Sequence, residues 1–459
     1  MLMNDLASHA PDAAVDRHAR RAALACMVTL AVALGIGRFA FTPLLPLMLH
    51  GAALGQPQLD IQHGGWLASF NYAGYFVGAV GCAALRIDPA RMVRAGLVAT
   101  VLLTLAMGVT NQFWVWAAVR FVAGAASAWT FVFASQWGLR RLAELGAHGW
   151  GGVIYTGPGV GIVGTGLLVS VAGGYGATMG WIGFGLIALV LSAVVWPIFR
   201  DLPAADPGRS GRRTGVGHSA APVGVRAGTE SGDGVGSNGQ PAAHASTTGD
   251  ADARIHVQAQ NPAAQRVDAF WLVLLYGIPG FGYIITATFL PVIARHALPG
   301  SAWPDLFWPM FGAALIVGAL LAARLPGHWD NRTLLAGCYV LQACGIASGI
   351  IWPTAGGFSI GSVLIGLPFT AITLFAMREA RRLRGDNAAG LMGFATAAYG
   401  VGQIVGPLVA APIAEHTGSF SPALWLAAGA LVLGAAGLVV VAMAPRGRGR
   451  SRMPDCGCN

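Results

Sequence analysis

Apolar residues fall in twelve long blocks along the chain, at about 22–49, 64–85, 92–110, 112–137, 150–172, 176–199, 267–294, 304–325, 333–353, 356–379, 387–412 and 421–444. Each is near or above the roughly 20 residues that a helix needs to cross about 30 Å of hydrocarbon. None shows the period-two alternation of a membrane barrel. Between the sixth and seventh blocks, residues 200–266 are rich in Gly, Ser, Ala and Pro with scattered charges, a composition that cannot bury enough apolar surface to fold. The pattern predicts an all-α membrane protein of twelve transmembrane helices. An N-terminal tail (1–21) leads into a six-helix bundle (22–199). A disordered linker (200–266) joins it to a second bundle (267–444), followed by a C-terminal tail (445–459).

The two bundles read as copies. GIGRFAFTPLLPLM at 35–48 returns as GFGYIITATFLPVI at 280–293, with Gly35 and Gly37 answered by Gly280 and Gly282, and Pro46 by Pro291. RRLAELGAHG at 140–149 returns as RRLRGDNAAG at 381–390, and GVG at 159–161 as GVG at 400–402. Parallel repeats of six spans imply two bundles related by an axis along the membrane normal, with a ligand site near the midplane between them.

Composition agrees: 55% of residues are hydrophobic and 10% charged, against about a quarter charged in soluble domains. All 28 basic residues are arginine, and the formal charge of +9 collects beside the spans, where it reads as topology rather than nucleic-acid binding. Alternate loops carry the arginines, and the opposite loops carry only Arg295. Both termini and the linker are therefore expected in the cytoplasm of a bacterium, with the spans in its inner membrane. The polar start leads into the first span without a small-residue cleavage site, so the first helix is expected to be retained. Six scattered cysteines, two of them in a tail CxC, suggest neither a disulfide framework nor a metal site.

Three motifs carry a family resemblance. Arg120-Phe-Val-Ala-Gly124 resembles the RxxxG motif of the major facilitator superfamily, and Gly157-Pro158-Gly159-Val160-Gly161 resembles the core of its antiporter motif. The repeat pair, NYAGYFVGA at 71–79 and GQIVGPLVA at 402–410, which holds Gly402, Gly406 and Pro407, are similar to the bacterial YbfB/YjiJ-type branch. The resemblance implies a 6+6 carrier working by alternating access, and it names no cargo. Two departures stand out. The loop after the second span reads GCAALRIDPARMVR at 81–94, with the family's acid displaced and followed by proline. Val153 stands where the antiporter motif has another glycine.

Candidate chemistry follows from depth. Arg38 lies 16 residues into the first span, about 24 Å at 1.5 Å per residue. Arg120, 8 residues into the fourth span from the other side, lies about 12 Å in, nearly the same level. Burying a charge there costs about 3 kcal/mol on insertion scales, which marks both arginines as substrate contacts or as internal struts bonded to carbonyls at helix kinks. Asn71, Tyr283, Tyr399 and Gln403 lie at similar heights and read as substrate contacts or interhelical hydrogen-bond glue. Pro43, Pro46, Pro158, Pro279 and Pro291 are expected to bend or interrupt the helices lining the site. The small residues Gly35, Gly37, Gly124, Gly157, Gly161, Gly280, Gly282, Gly402 and Gly406 let helices approach and pivot. GVGIVG at 159–164 matches a dinucleotide fingerprint but follows no strand.

Asp268, Glu379 and Glu415 read as helix-end residues, and no histidine is deep. Two arginines without a neutralising acid favour an anion. The leading expectation is a secondary transporter of a small organic anion or metabolite. The alternative is efflux of amphipathic or aromatic compounds, with Trp129, Phe131, Phe133 and Tyr155 read either as contacts or as lipid-facing or packing residues. No nucleophile–base or metal constellation points to an enzyme. No cofactor, metal or nucleic acid is expected, and the partners are the bilayer and a small molecule, with the monomer as working unit.

Overall fold

The computed structural model describes residues 2–50, 59–82, 87–199, 262–326, 328–385 and 388–443, and all of them lie in helices or short connections. The predicted linker and C-terminal tail fall almost wholly outside these residues. The first half contains α1 (Leu2–Leu30), α2 (Phe41–His50), α3 (Ile61–Gly81), α4 (Pro89–Val109), α5 (Phe113–Glu144), α6 (Gly151–Ile154), α7 (Gly157–Ala172) and α8 (Gly176–Val195). The second contains α9 (Pro262–Ala297), α10 (Pro304–Ala322), α11 (Asn331–Ile351), α12 (Ala355–Gly366), α13 (Phe369–Arg384), α14 (Ala388–Thr417) and α15 (Ser421–Met443).

Among the described residues, 11 helical segments are long and apolar enough to cross a membrane. α3 has the length of a twelfth but carries Gln62, His63 and Asn71, and it packs on α5 and α14. α1 begins at Leu2, well before the apolar block, and buries Ala19, Ala22 and Ala23. Asp88, the displaced acid of the second loop, accepts a hydrogen bond from the Ala90 N–H at 2.7 Å and precedes Pro89 at the first helical position. It is therefore the N-cap of α4, and the proline sits where its missing N–H costs nothing.

Three of the spans are interrupted beside prolines, one of them between α12 and α13 at residues 367–368, where Pro368 lies. The first span passes from α1 into a single π turn (Ala31–Ile36), with the Gly37 N–H donating to Val32 O and the Phe39 N–H to Leu34 O, both at 2.9 Å. Residues 37–40 form an irregular turn before α2 restarts with Pro43 in its first turn. A proline there has no N–H for the carbonyl four residues back, so the upstream ladder cannot continue. Residues 155–156 likewise separate α6 from α7, just ahead of Pro158. α9 is different, running unbroken through Pro279 and Pro291.

The repeat is visible in the packing. Gly35 lies against the main chain of Gly161, and its counterpart Gly280 lies against Gly402, the counterpart of Gly161; a Cβ on Gly35, Gly161 or Gly402 would overlap the opposing backbone. Across the halves, α2 meets α9, α3 meets α14 and α7 meets α10. The Thr42 hydroxyl donates to Ala287 O at 2.9 Å, and Ala287 is the repeat equivalent of Thr42 in the aligned stretches. Equivalent positions touching each other is the self-complementary contact that a two-fold axis produces. Every residue from 29 to 46 and from 282 to 292 is buried, so these two segments are the central ones, apolar all round because protein surrounds them.

Candidate functional site

The broken first span sets the site. Arg38 lies in the 37–40 turn and is 5% exposed. Its Nη2 donates to Gln403 Oε1 on α14 at 3.0 Å, and the Gln403 amide nitrogen donates to the Tyr283 hydroxyl on α9. The Arg38 guanidinium also lies 4.0 Å from the ring centroid of Tyr75 and 5.1 Å from that of Tyr72. Among the described residues its Nε has no hydrogen-bond partner. Arg38 thus joins the halves through one neutral amide and a set of aromatic faces, which attract a cation through the ring quadrupole.

Arg120 does something else. It is 2% exposed, and its Nη1 and Nη2 donate to Gly37 O at 3.3 Å and Arg38 O at 3.1 Å. Its guanidinium lies 4.7 Å from the Phe41 ring centroid. The turn takes carbonyls out of the regular helical ladder, and the planar fork of an arginine spans two adjacent ones. Asn71 in turn donates to Arg120 O at 2.8 Å, tying α3 to α5 beside Gly124, where a Cβ would overlap Asn71 O. Arg120 and Asn71 thus both donate to main-chain oxygens of neighbouring helices and turns. Among the described residues neither Arg38 nor Arg120 has a carboxylate within ion-pair distance.

Tyr399 on α14 stacks on Tyr276 at 5.0 Å and 27°, and on Tyr283 at 6.0 Å and 23°. The Tyr276 hydroxyl donates to Thr373 Oγ1 at 3.1 Å. Tyr399 and Tyr75 are partly exposed, whereas Arg38, Arg120, Asn71, Tyr283 and Gln403 are buried. Sequence reading missed Tyr72, Tyr75 and Tyr276, although signals existed. Tyr75 lies four residues after Asn71, and Tyr276 seven before Tyr283, spacings that share a helix face. The Tyr72 hydroxyl lies 3.0 Å from Thr288 Oγ1 of the other half. Of the other aromatics singled out, Phe133 is buried and Phe131 lies 6.2 Å from Tyr155.

One reading from the sequence is corrected. Glu379 lies within α13 rather than at a helix end and is fully buried, and Arg332, near the start of α11, is 2% exposed. Arg332 binds Glu379 at 2.7 Å, Asp268 at 2.6 Å and Val441 O at 3.1 Å, while Arg382 binds Glu379 at 2.6 Å. These charges neutralise one another inside the second half, so burial is affordable only as a paired set. They tie α9, α11, α13 and α15 together.

Two parallel six-helix repeats meeting along one axis, with paired central helices, define a multi-pass transporter of the major facilitator type. The chain belongs to the family described as uncharacterised MFS-type transporter YbfB, whose model matches residues 30–223 and 243–440. Two crystal structures of the nucleoside transporter NupG share the fold. The D323A mutant superposes with a TM-score of 0.65 at 12% identity, covering 92% of this chain and 99% of that one. The second NupG structure gives 0.60 at 11% identity, with 93% and 99% coverage. None of the curated proteins matches this sequence.

Proposed function

We propose that the protein is a secondary carrier that works by alternating access and moves a small organic anion past Arg38. The observation that carries this reading is a buried guanidinium at the junction of the halves with no counter-carboxylate among the described residues. A buried charge held by a neutral amide, a tyrosine side chain and ring faces, with no carboxylate among the described residues, is under-compensated, and a bidentate anion is its natural partner. Arg120 is the positioning residue: it holds the turn from which Arg38 projects. A nucleoside, the cargo named for the solved neighbours, has a flat base but no charge to offer Arg38. Efflux of amphipathic or aromatic compounds is the second reading, favoured by the tyrosine stack.

The test uses Arg38→Gln and Arg38→Lys in proteoliposomes, with melting temperature in detergent measured alongside. Arg38→Gln should abolish anion uptake with melting within a few degrees of wild type. Arg38→Lys should restore little, because ammonium keeps the charge and not the planar fork. Wild-type uptake by Arg38→Gln would sink the anion role.

The working unit is the monomer in the inner membrane, with both termini and the linker in the cytoplasm, supported by the arginine asymmetry. Reporter fusions after residues 230 and 455 should both read cytoplasmic. A periplasmic signal from either would refute this orientation.

A further inference from the structure

We infer that the anion taken at Arg38 is a planar aromatic one, its carboxylate on the guanidinium and its ring against the tyrosine stack. This rests on the anion reading and adds the shape of the ligand. Three rings from two helices of one half, Tyr276, Tyr283 and Tyr399, lie within 27° of parallel where they meet. Packed aromatic side chains commonly meet edge-to-face, and a run of near-parallel rings presents flat faces in a single orientation. Gln403 joins that stack to the charge, since one amide accepts from Arg38 and donates to the Tyr283 hydroxyl.

The opposite wall is aromatic too. Tyr75 from the first half faces the Arg38 guanidinium at 4.0 Å, and its neighbour Phe76 meets Gly400, next to Tyr399. Tyr75 and Tyr399 are the partly exposed members of this group, and in the proposed binding mode the ligand enters on their side. Arg38 can release Gln403 and take a carboxylate with two donors, and a flat ring carried by that carboxylate extends the stack. An aliphatic anion satisfies the arginine alone. A neutral aromatic satisfies the stack alone.

Three probes of similar size separate these terms: benzoate, cyclohexanecarboxylate and benzamide, titrated calorimetrically into the purified full chain. Benzoate should bind about three- to tenfold more tightly than cyclohexanecarboxylate, the ratio expected of one aromatic pair. It should bind at least about tenfold more tightly than benzamide, which lacks the charge. Tyr399→Leu should bring the benzoate-to-cyclohexanecarboxylate ratio to about one while both still bind, and Tyr399→Phe should preserve the ratio, because stacking needs the ring and not the hydroxyl. Equal binding of the two carboxylates by the wild-type protein would overturn the aromatic preference and leave the anion reading standing. Benzamide matching benzoate, unchanged in Arg38→Gln, would overturn both. Failure of all three to bind at millimolar concentration would overturn the aromatic proposal, with the uptake assay of Arg38→Gln still deciding the anion reading.

Discussion

Arg38 and Arg120 sit at one depth with the same formal charge, and their surroundings divide their work. Arg120 spends two guanidinium nitrogens on main-chain oxygens of the broken first span. Replacing it by glutamine cannot span both carbonyls, and each one left unsatisfied costs about 1–3 kcal/mol. Arg120→Gln should therefore melt well below wild type and accumulate poorly, with Arg120→Lys intermediate; thermal melts in detergent check this, and an unchanged melting temperature would contradict the strut. The sequence made both arginines conspicuous because charge in an apolar span is rare. It could give their height, from residue rise, but not their azimuth. Which polar group faces Arg38 depends on how the halves meet, and Gln403 stands 365 positions away. The burial of Arg332 and Glu379 was hidden for a related reason: a helix-end residue looks the same in sequence whether it faces water or another helix.

At the scale of elements, the repeat was legible from residues because its glycines do mechanical work. Gly161 lies against Gly35 where α7 crosses the π turn, and Gly402 lies against Gly280 where α14 crosses α9. A valine at Gly161 or Gly402 would have to push two main chains apart, and overpacking of this kind costs about 1–3 kcal/mol or more. Gly161→Val and Gly402→Val should each lose folded protein. Gly164→Ala is the control, because nothing among the described residues lies within 4 Å of the added Cβ, and alanine is favoured over glycine in a helix by about 1 kcal/mol. Size-exclusion profiles and melts of the three variants decide the matter; a well-folded Gly161→Val would remove the close crossing from the account. The breaks were less legible. Pro43 and Pro158 follow irregular turns and Pro291 does not, because tertiary packing decides whether a proline's lost hydrogen bond becomes a break or is absorbed.

At the scale of the whole molecule, the proposed alternating access requires the junction of the halves to open at one end as it closes at the other. Here hydrogen bonds join the halves among the described residues. Thr42 donates to Ala287 O, Tyr72 meets Thr288 and Ser69 donates to Ile404 O, each a contact between halves. Each such hydrogen bond contributes about 0.5–1.5 kcal/mol net, so removing two shifts the balance between the two states by about five- to a hundredfold. The most direct measurement is electron–electron distance in lipid, in a background lacking the six native cysteines. One spin-label pair sits at the exposed Asn111 and Thr417, and another at the exposed Ala143 and Arg384 of the opposite end. With Thr42→Val and Tyr72→Phe combined, the account predicts a longer-distance population for the 111–417 pair and a shorter one for the 143–384 pair, growing together. Distances unchanged at both ends in a folded variant, or both ends lengthening at once, would contradict it.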